Sequence, residues 1–121
     1  MSHQAYAVQQ QATEAPRDLE IRAISFVTRQ LADGNATDAA PMARIRGLNA
    51  NMRLWSLMVE DLSKPANALP EAIKARYISL GLFAKRRSAA ALMDRSDLST
   101  LIQINTDVLD ALDHQRISLA A

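Results

Sequence analysis

Cysteine is absent from all 121 residues. That excludes a disulfide framework, a thiolate metal site and a thiol nucleophile, and it fits a reducing compartment. Glycine occurs three times and proline four times, so backbone punctuation is sparse and each instance can be read as a boundary. Aromatic residues make up only 4% of the chain, which leaves alanine and aliphatic side chains to fill any core. A surplus of one charge is also missing: fourteen basic and thirteen acidic residues give a net charge of +1. A general polyanion binder needs a clear basic excess to displace counterions from phosphates, so that class is disfavoured. No stretch approaches the roughly 20 apolar residues of a membrane span. The opening "MSHQAYAVQQQATEAP" lacks the basic segment and apolar run of a secretory signal. Together these absences predict a soluble intracellular domain.

What is present is a 49% hydrophobic chain with length for one core. Residues 1–15 are rich in glutamine and alanine without a sustained apolar period, and read as a mobile or loosely docked arm with Tyr6 as its one anchor. Residues 16–121 read as the folded domain. Thr13, Pro16 and Asp18 supply helix-start chemistry, and Leu19, Ala23, Phe26, Val27 and Gln30 or Leu31 recur at spacings of three and four. Gly34 and Asn35 are expected to close this helix in the left-handed conformation. In the next helix Ile45, Leu48, Met52, Trp55, Val59 and Leu62 alternate by three and four, which keeps one seam against neighbours. Gly47 inside it costs about 1 kcal/mol against alanine, tolerable where another helix comes close.

The run "RYISLGLFAK" suits a buried strand as well as a helix, and its flanks decide the matter. Pro70 and Glu71 look like a helix start and "KRRSAAALM" favours helix, so Pro70 to about Met93 is predicted helical, with Pro70 at the first position. Ser96 is the expected N-cap of a last helix whose inner stripe is Leu98, Leu101 or Ile102, Asn105, Val108 or Leu109, and Leu112. The fold class is therefore all-α: an antiparallel bundle of about four helices. Between the second and third helices, "DLSKPANALPEAI" reads as a rigid corner. Lys64 and Leu69 are forced out of helical geometry by the prolines that follow them, and Asn67 forms a turn through its side chain.

The residues offer little to catalysis. His3 and His114 cannot make a metal triad, and Asp107, Asp110 and Asp113 line one helical stripe that reads as a solvated face. No serine sits in a nucleophile context and no glycine-rich loop could cradle phosphates, so neither an enzyme nor a cofactor is expected. The one dense basic run, Lys85 to Arg87, reads as a solvated stretch, since adjacent helical residues point in different directions. Apolar residues are in surplus, however. Leu54, Leu57 and Met58 point away from the seam of the second helix, and Ile78, Leu82 and Phe83 spread around the axis of the third. Either the outer helices cover them or they await a partner.

The segment "RLWSLMVEDLSKPANALPEAIKARYISLGLF" resembles the signature of the FlaF family of flagellar regulators. The resemblance rests on Arg53, Leu54, Trp55, Leu57, Asp61 and Leu62, then Asn67, Ala68, Leu69 and Pro70, then Ala75 and Ile78 to Gly81. "AYA" at 5–7, "PRDLE" at 16–20 and "LIQINTDVLDAL" at 101–112 are similar to the family's flanking parts, while Phe83 stands where the family often has tryptophan. The resemblance implies an all-helical cytoplasmic protein that binds flagellin, promotes its synthesis and secretion as a chaperone, and works opposite the regulator FlbT. Leu54, Leu57, Met58, Ile78, Leu82 and Phe83 are then the candidate partner-binding residues, with Trp55, Leu62 and Leu69 in the core. Two alternatives stay open. One is a regulator of flagellin messenger RNA, acting directly or through FlbT, with Arg44, Arg46 and Lys85 to Arg87 at stake. The other is a homo-oligomeric scaffold using the same apolar surplus.

Overall fold

The computed structural model describes residues 16–120, with side chains from 18 to 114. Four helices follow one another: α1 (Pro16–Asn35), α2 (Pro41–Leu62), α3 (Glu71–Met93) and α4 (Ser99–Ala120). Among the described residues there is no strand. α1 and α2 run antiparallel, since Gly34 meets Arg44 while Gly47 meets Gln30, and so do α2 and α3, since Asn51 meets Ser88 while Trp55 and Val59 meet Gly81. α1 packs on α2 and α4, α2 packs on α3, and α3 meets α4 only lightly. The expected arm lies outside the described residues.

The centre of the bundle is Trp55, fully buried, and its ring packs against α3 at Gly81. A Cβ at Gly81 would stand 2.6 Å from Val59 Cγ2 and 2.8 Å from Trp55 Cε3. Gly81→Ala is therefore expected to cost about 1–3 kcal/mol by overpacking, measured as a lower midpoint in chemical denaturation. Gly47 serves the same purpose between α1 and α2, where a Cβ would come within 2.8 Å of the Gln30 carbonyl oxygen.

A chain of buried hydrogen bonds ties the helices together around Trp55. The indole N–H donates to Asn105 Oδ1 at 2.9 Å, and the Asn105 amide donates to Asn51 Oδ1 at 2.9 Å. Asn51 then donates to Ser88 Oγ at 3.0 Å, and the Ser88 hydroxyl donates to the Ala84 carbonyl at 2.7 Å. Each of these side chains is buried, so each needs its partner. Three helices, α2, α3 and α4, are held in register by one directional network.

The inward faces differ from the sequence expectation on two helices. The buried stripe of α1 is Ile24, Val27 and Leu31, while Leu19, Ala23 and Phe26 form a neighbouring exposed stripe, Phe26 at 60% exposure. Both stripes obey helical spacing; the contact of Gly47 with Gln30 and Leu31 selects the one that faces inward. On α2 the inner face is Leu48, Asn51, Leu54, Trp55 and Leu62, and Ile45 is exposed. The helix ends differ too. Gly34 and Asn35 stay right-handed, for no described residue has a positive φ. Asn35 closes α1 by another route: its Oδ1 accepts from the Leu98 N–H at 2.9 Å and its amide donates to Asp97 Oδ1 at 2.9 Å. α4 accordingly starts at Ser99, whose N–H donates to Asp97 Oδ1 at 3.1 Å, and Ser96 is not its cap.

These contacts hold the Asp97 carboxyl below the ordinary aspartate range, the Asn35 amide first and Ser99 after it. A lowered native value means stability that is present above the ordinary range and is lost as pH falls through the native value. The junction of α1 with α4 is thus expected to loosen below about pH 4. Amide exchange at Leu98 and Ser99 checks this, and Asp97→Asn should flatten the response.

Candidate functional site

The corner between α2 and α3 is the first element of the site. Lys64 precedes Pro65, which ends α2, and the Ser63 N–H and hydroxyl both donate to the Val59 carbonyl, at 3.0 and 2.7 Å. Asn67 then accepts from the Leu69 N–H at 3.1 Å through Oδ1 and donates to Asp61 Oδ2 at 3.1 Å. This is a side-chain turn, as its spacing predicts. Pro70 is one place earlier than expected: it is the N-cap residue of α3, and its carbonyl accepts from the Ile73 and Lys74 N–H groups, both at 3.0 Å. The outcome is a rigid elbow that holds Leu69, half-buried, beside α2.

Beside that elbow a cavity of about 520 Å³ opens between α1 and α2. Leu19, Ala23 and Ile24 line it from α1; Leu54, Leu57, Met58 and Leu62 line it from α2. Leu69 and Ala68 come from the elbow, Tyr77 from α3, and the buried Val108 and Leu112 from α4. Among the described residues, Glu20 and Asp61 bring its only carboxylates. Leu57 is the most exposed of the large apolar side chains there, at 59%. Such a mostly apolar concavity with a few polar groups is suited to an amphipathic helix or an apolar peptide.

A family model described as "Flagellar protein FlaF" matches residues 2–112. The chain belongs to the FlaF family. The FlaF match takes in every residue that lines the groove, from Leu19 to Leu112, and makes this a flagellar-related protein. No curated protein and no solved structure gives a match to the chain.

The candidate residues of this FlaF chain divide into two places. Leu54, Leu57 and Met58 meet in the groove, although Leu54 is also a core residue at 8% exposure. Leu82 and Phe83 are exposed on α3 and Ile78 is half-buried there; none of the three lines the groove. Phe83 instead borders a shallow depression with Ala75, Arg76, Ser79 and Leu80. Of the residues expected in the core, Trp55 and Leu62 are buried, but Leu69 is a groove wall. Arg53 is exposed on α2, Asp61 and Asn67 are joined at the elbow, and Gly81 backs Trp55. Sequence reasoning misses Leu19 and Ala23 as site residues because it assigns them to the core. Their signal is the second apolar stripe on α1.

Two of the basic residues, Arg44 and Arg87, have structural work. Arg44 donates to the Ala91 and Ser96 carbonyls at 3.2 and 2.7 Å, which fastens the start of α2 to the end of α3. Arg87 bonds to Ser96 and pairs with Asp94 at 3.4 Å. Asp107 accepts from Gln103 at 2.8 Å, and no group of metal-ligating side chains occurs among the described residues. No helix in the described residues is long and apolar enough to cross a membrane.

Proposed function

We propose that the protein is a non-catalytic flagellin-binding chaperone of the cytoplasm, which keeps flagellin soluble and export-competent and couples its synthesis to secretion. The groove between α1 and α2 is its client site. The observation that carries this reading is Leu57, held out from the bundle at 59% exposure over an apolar cavity, in a FlaF-family chain. The client segment is an amphipathic helix of flagellin that lays its apolar face against Leu19, Leu57 and Leu69. Co-expression with flagellin followed by size-exclusion chromatography tests it: a stoichiometric complex is expected, and separate elution contradicts the reading.

The messenger-RNA alternative is weakened by the basic residues it needs. Arg44 and Arg87 direct their guanidinium groups at carbonyls and side chains of the bundle itself. The salt response discriminates. Flagellin binding through an apolar groove should change less than about threefold between roughly 50 and 200 mM salt, whereas an RNA contact through several phosphates should fall by orders of magnitude. FlbT is then a partner for another surface, and the exposed Leu82 and Phe83 on α3 offer one.

A further inference from the structure

We infer that the outer face of α3 is a second docking surface, and that it takes an acidic amphipathic helix of another protein. The inference leaves the groove aside and does not depend on what the groove receives. α3 turns Gly81, Ala84, Ser88 and Ala91 into the bundle, all buried, and packs chiefly on α2. On its opposite side Ala75, Ser79, Leu82, Arg86 and Met93 follow at steps of four, three, four and seven residues, and every one is exposed. That is the spacing of a seam that packs against one more helix. Leu82 and Phe83, each 42% exposed, are the large side chains at its middle, and Met93 closes its far end. Ala75 and Ser79 are short enough to let a second helix come close, and with Phe83 they border the shallow depression on this face.

Charge decides which helix fits. Between Glu71 and Asp94 the chain has no carboxylate, whereas Lys74, Arg76, Lys85, Arg86 and Arg87 all lie there. Lys74 and Arg87 are paired with those two end carboxylates. Arg76 and Arg86 are exposed and, among the described residues, have no ion-pair or hydrogen-bond partner. They stand ten residues apart, about 15 Å at roughly 1.5 Å per residue, one on each side of Leu82 and Phe83. Their complement is a helix whose apolar stripe covers Leu82 and Phe83 and whose carboxylates are spaced by about three turns. A second copy of the chain does not supply it. Arg76 and Arg86 are each five residues from Gly81, so two such faces crossing there antiparallel set Arg76 against Arg86. Laid parallel, each arginine meets itself, and like charges brought together oppose association. Nucleic acid and lipid fit less well: two arginines around an apolar centre make few phosphate contacts, and a membrane-lying helix keeps its cations off the apolar face, where Arg86 stands here. The groove carries carboxylates instead, Glu20 and Asp61, so the two surfaces select different helices.

Two designed helical peptides of about 21 residues, three heptads long, test this on the full chain. Both carry the same leucine and alanine stripe; one flanks it with glutamates about three turns apart, the other with lysines at the same places. By fluorescence anisotropy the glutamate peptide is expected to bind at least about tenfold more tightly than the lysine peptide. Arg76→Glu combined with Arg86→Glu should reverse that order. Phe83→Ser should weaken the glutamate peptide by about tenfold while leaving its preference over the lysine peptide in place. The replaced side chains are exposed, so each variant should keep its circular dichroism. Equal binding of the two peptides overturns the inference, as does no binding of the glutamate peptide at about 1 mM, or an order that the double reversal leaves unchanged. A single-stranded RNA, or a vesicle of anionic lipid, that binds through Arg76 and Arg86 more tightly than the glutamate peptide also overturns it.

Discussion

Replacing Trp55 with alanine is expected to remove about 3–5 kcal/mol of stability. Most domains have only about 5–15 kcal/mol in total, so this is a large share of the protein's stability. The cost has two sources that cannot simply be added. One is the hole left among α2, α3 and α4, whose walls cannot close because Gly81 brings no side chain to fill it. The other is Asn105 Oδ1, fully buried, which loses its indole donor. Trp55→Phe separates them: a ring remains, the carbonyl oxygen is orphaned, and about 1–3 kcal/mol should be lost. As Trp55 is the only tryptophan, unfolding has to be followed by far-ultraviolet circular dichroism and not by its fluorescence.

The second large effect concerns binding and leaves the fold alone. Leu57→Asp puts a carboxylate where a client would exclude water, at a cost of about 2–4 kcal/mol, or roughly 30- to 900-fold in affinity. Because Leu57 is 59% exposed in the free protein, its melting temperature should move little. Leu54→Asp is the contrast. The same change three residues earlier falls on a side chain 8% exposed and within the core cluster, and it should unfold the bundle. Calorimetric titration with flagellin, paired with thermal melts, distinguishes the two variants. A Leu57→Asp protein that folds and binds flagellin with unchanged affinity would rule the groove out as the client site.

Much of this molecule can be read from residue order. The all-α class, the extent of α3 through "RYISLGLFAK", the elbow built on Asn67 and the inner stripe of α4 all follow from local chemistry: period, caps, and the constraint proline puts on the residue before it. The site is legible in part, and the failures share a cause. On α1 two apolar stripes, Leu19–Ala23–Phe26 and Ile24–Val27–Leu31, satisfy the same helical spacing, so the period alone cannot choose between them. Only the approach of α2 at Gly47 decides which is buried. In α2 the regular seam through Ile45 and Met52 suggests an apolar interface, yet the inner face passes through Asn51. A lone asparagine cannot announce that Asn105, Ser88 and Trp55 will form its network from distant positions in the chain. Asn35 repeats the pattern at a helix end. Its position reads as a stop for α1, and it is also a cap for α4, sixty-three residues away.

The central claim is that the groove between α1 and α2 receives flagellin. It is tested most directly by methyl NMR on the full chain with labelled leucine, titrated with monomeric flagellin. The account predicts shifts at Leu19, Leu57 and Leu69, with Leu82 and Leu92 on α3 unmoved. Shifts confined to Leu82 and Leu92, or none at saturating flagellin, would contradict it.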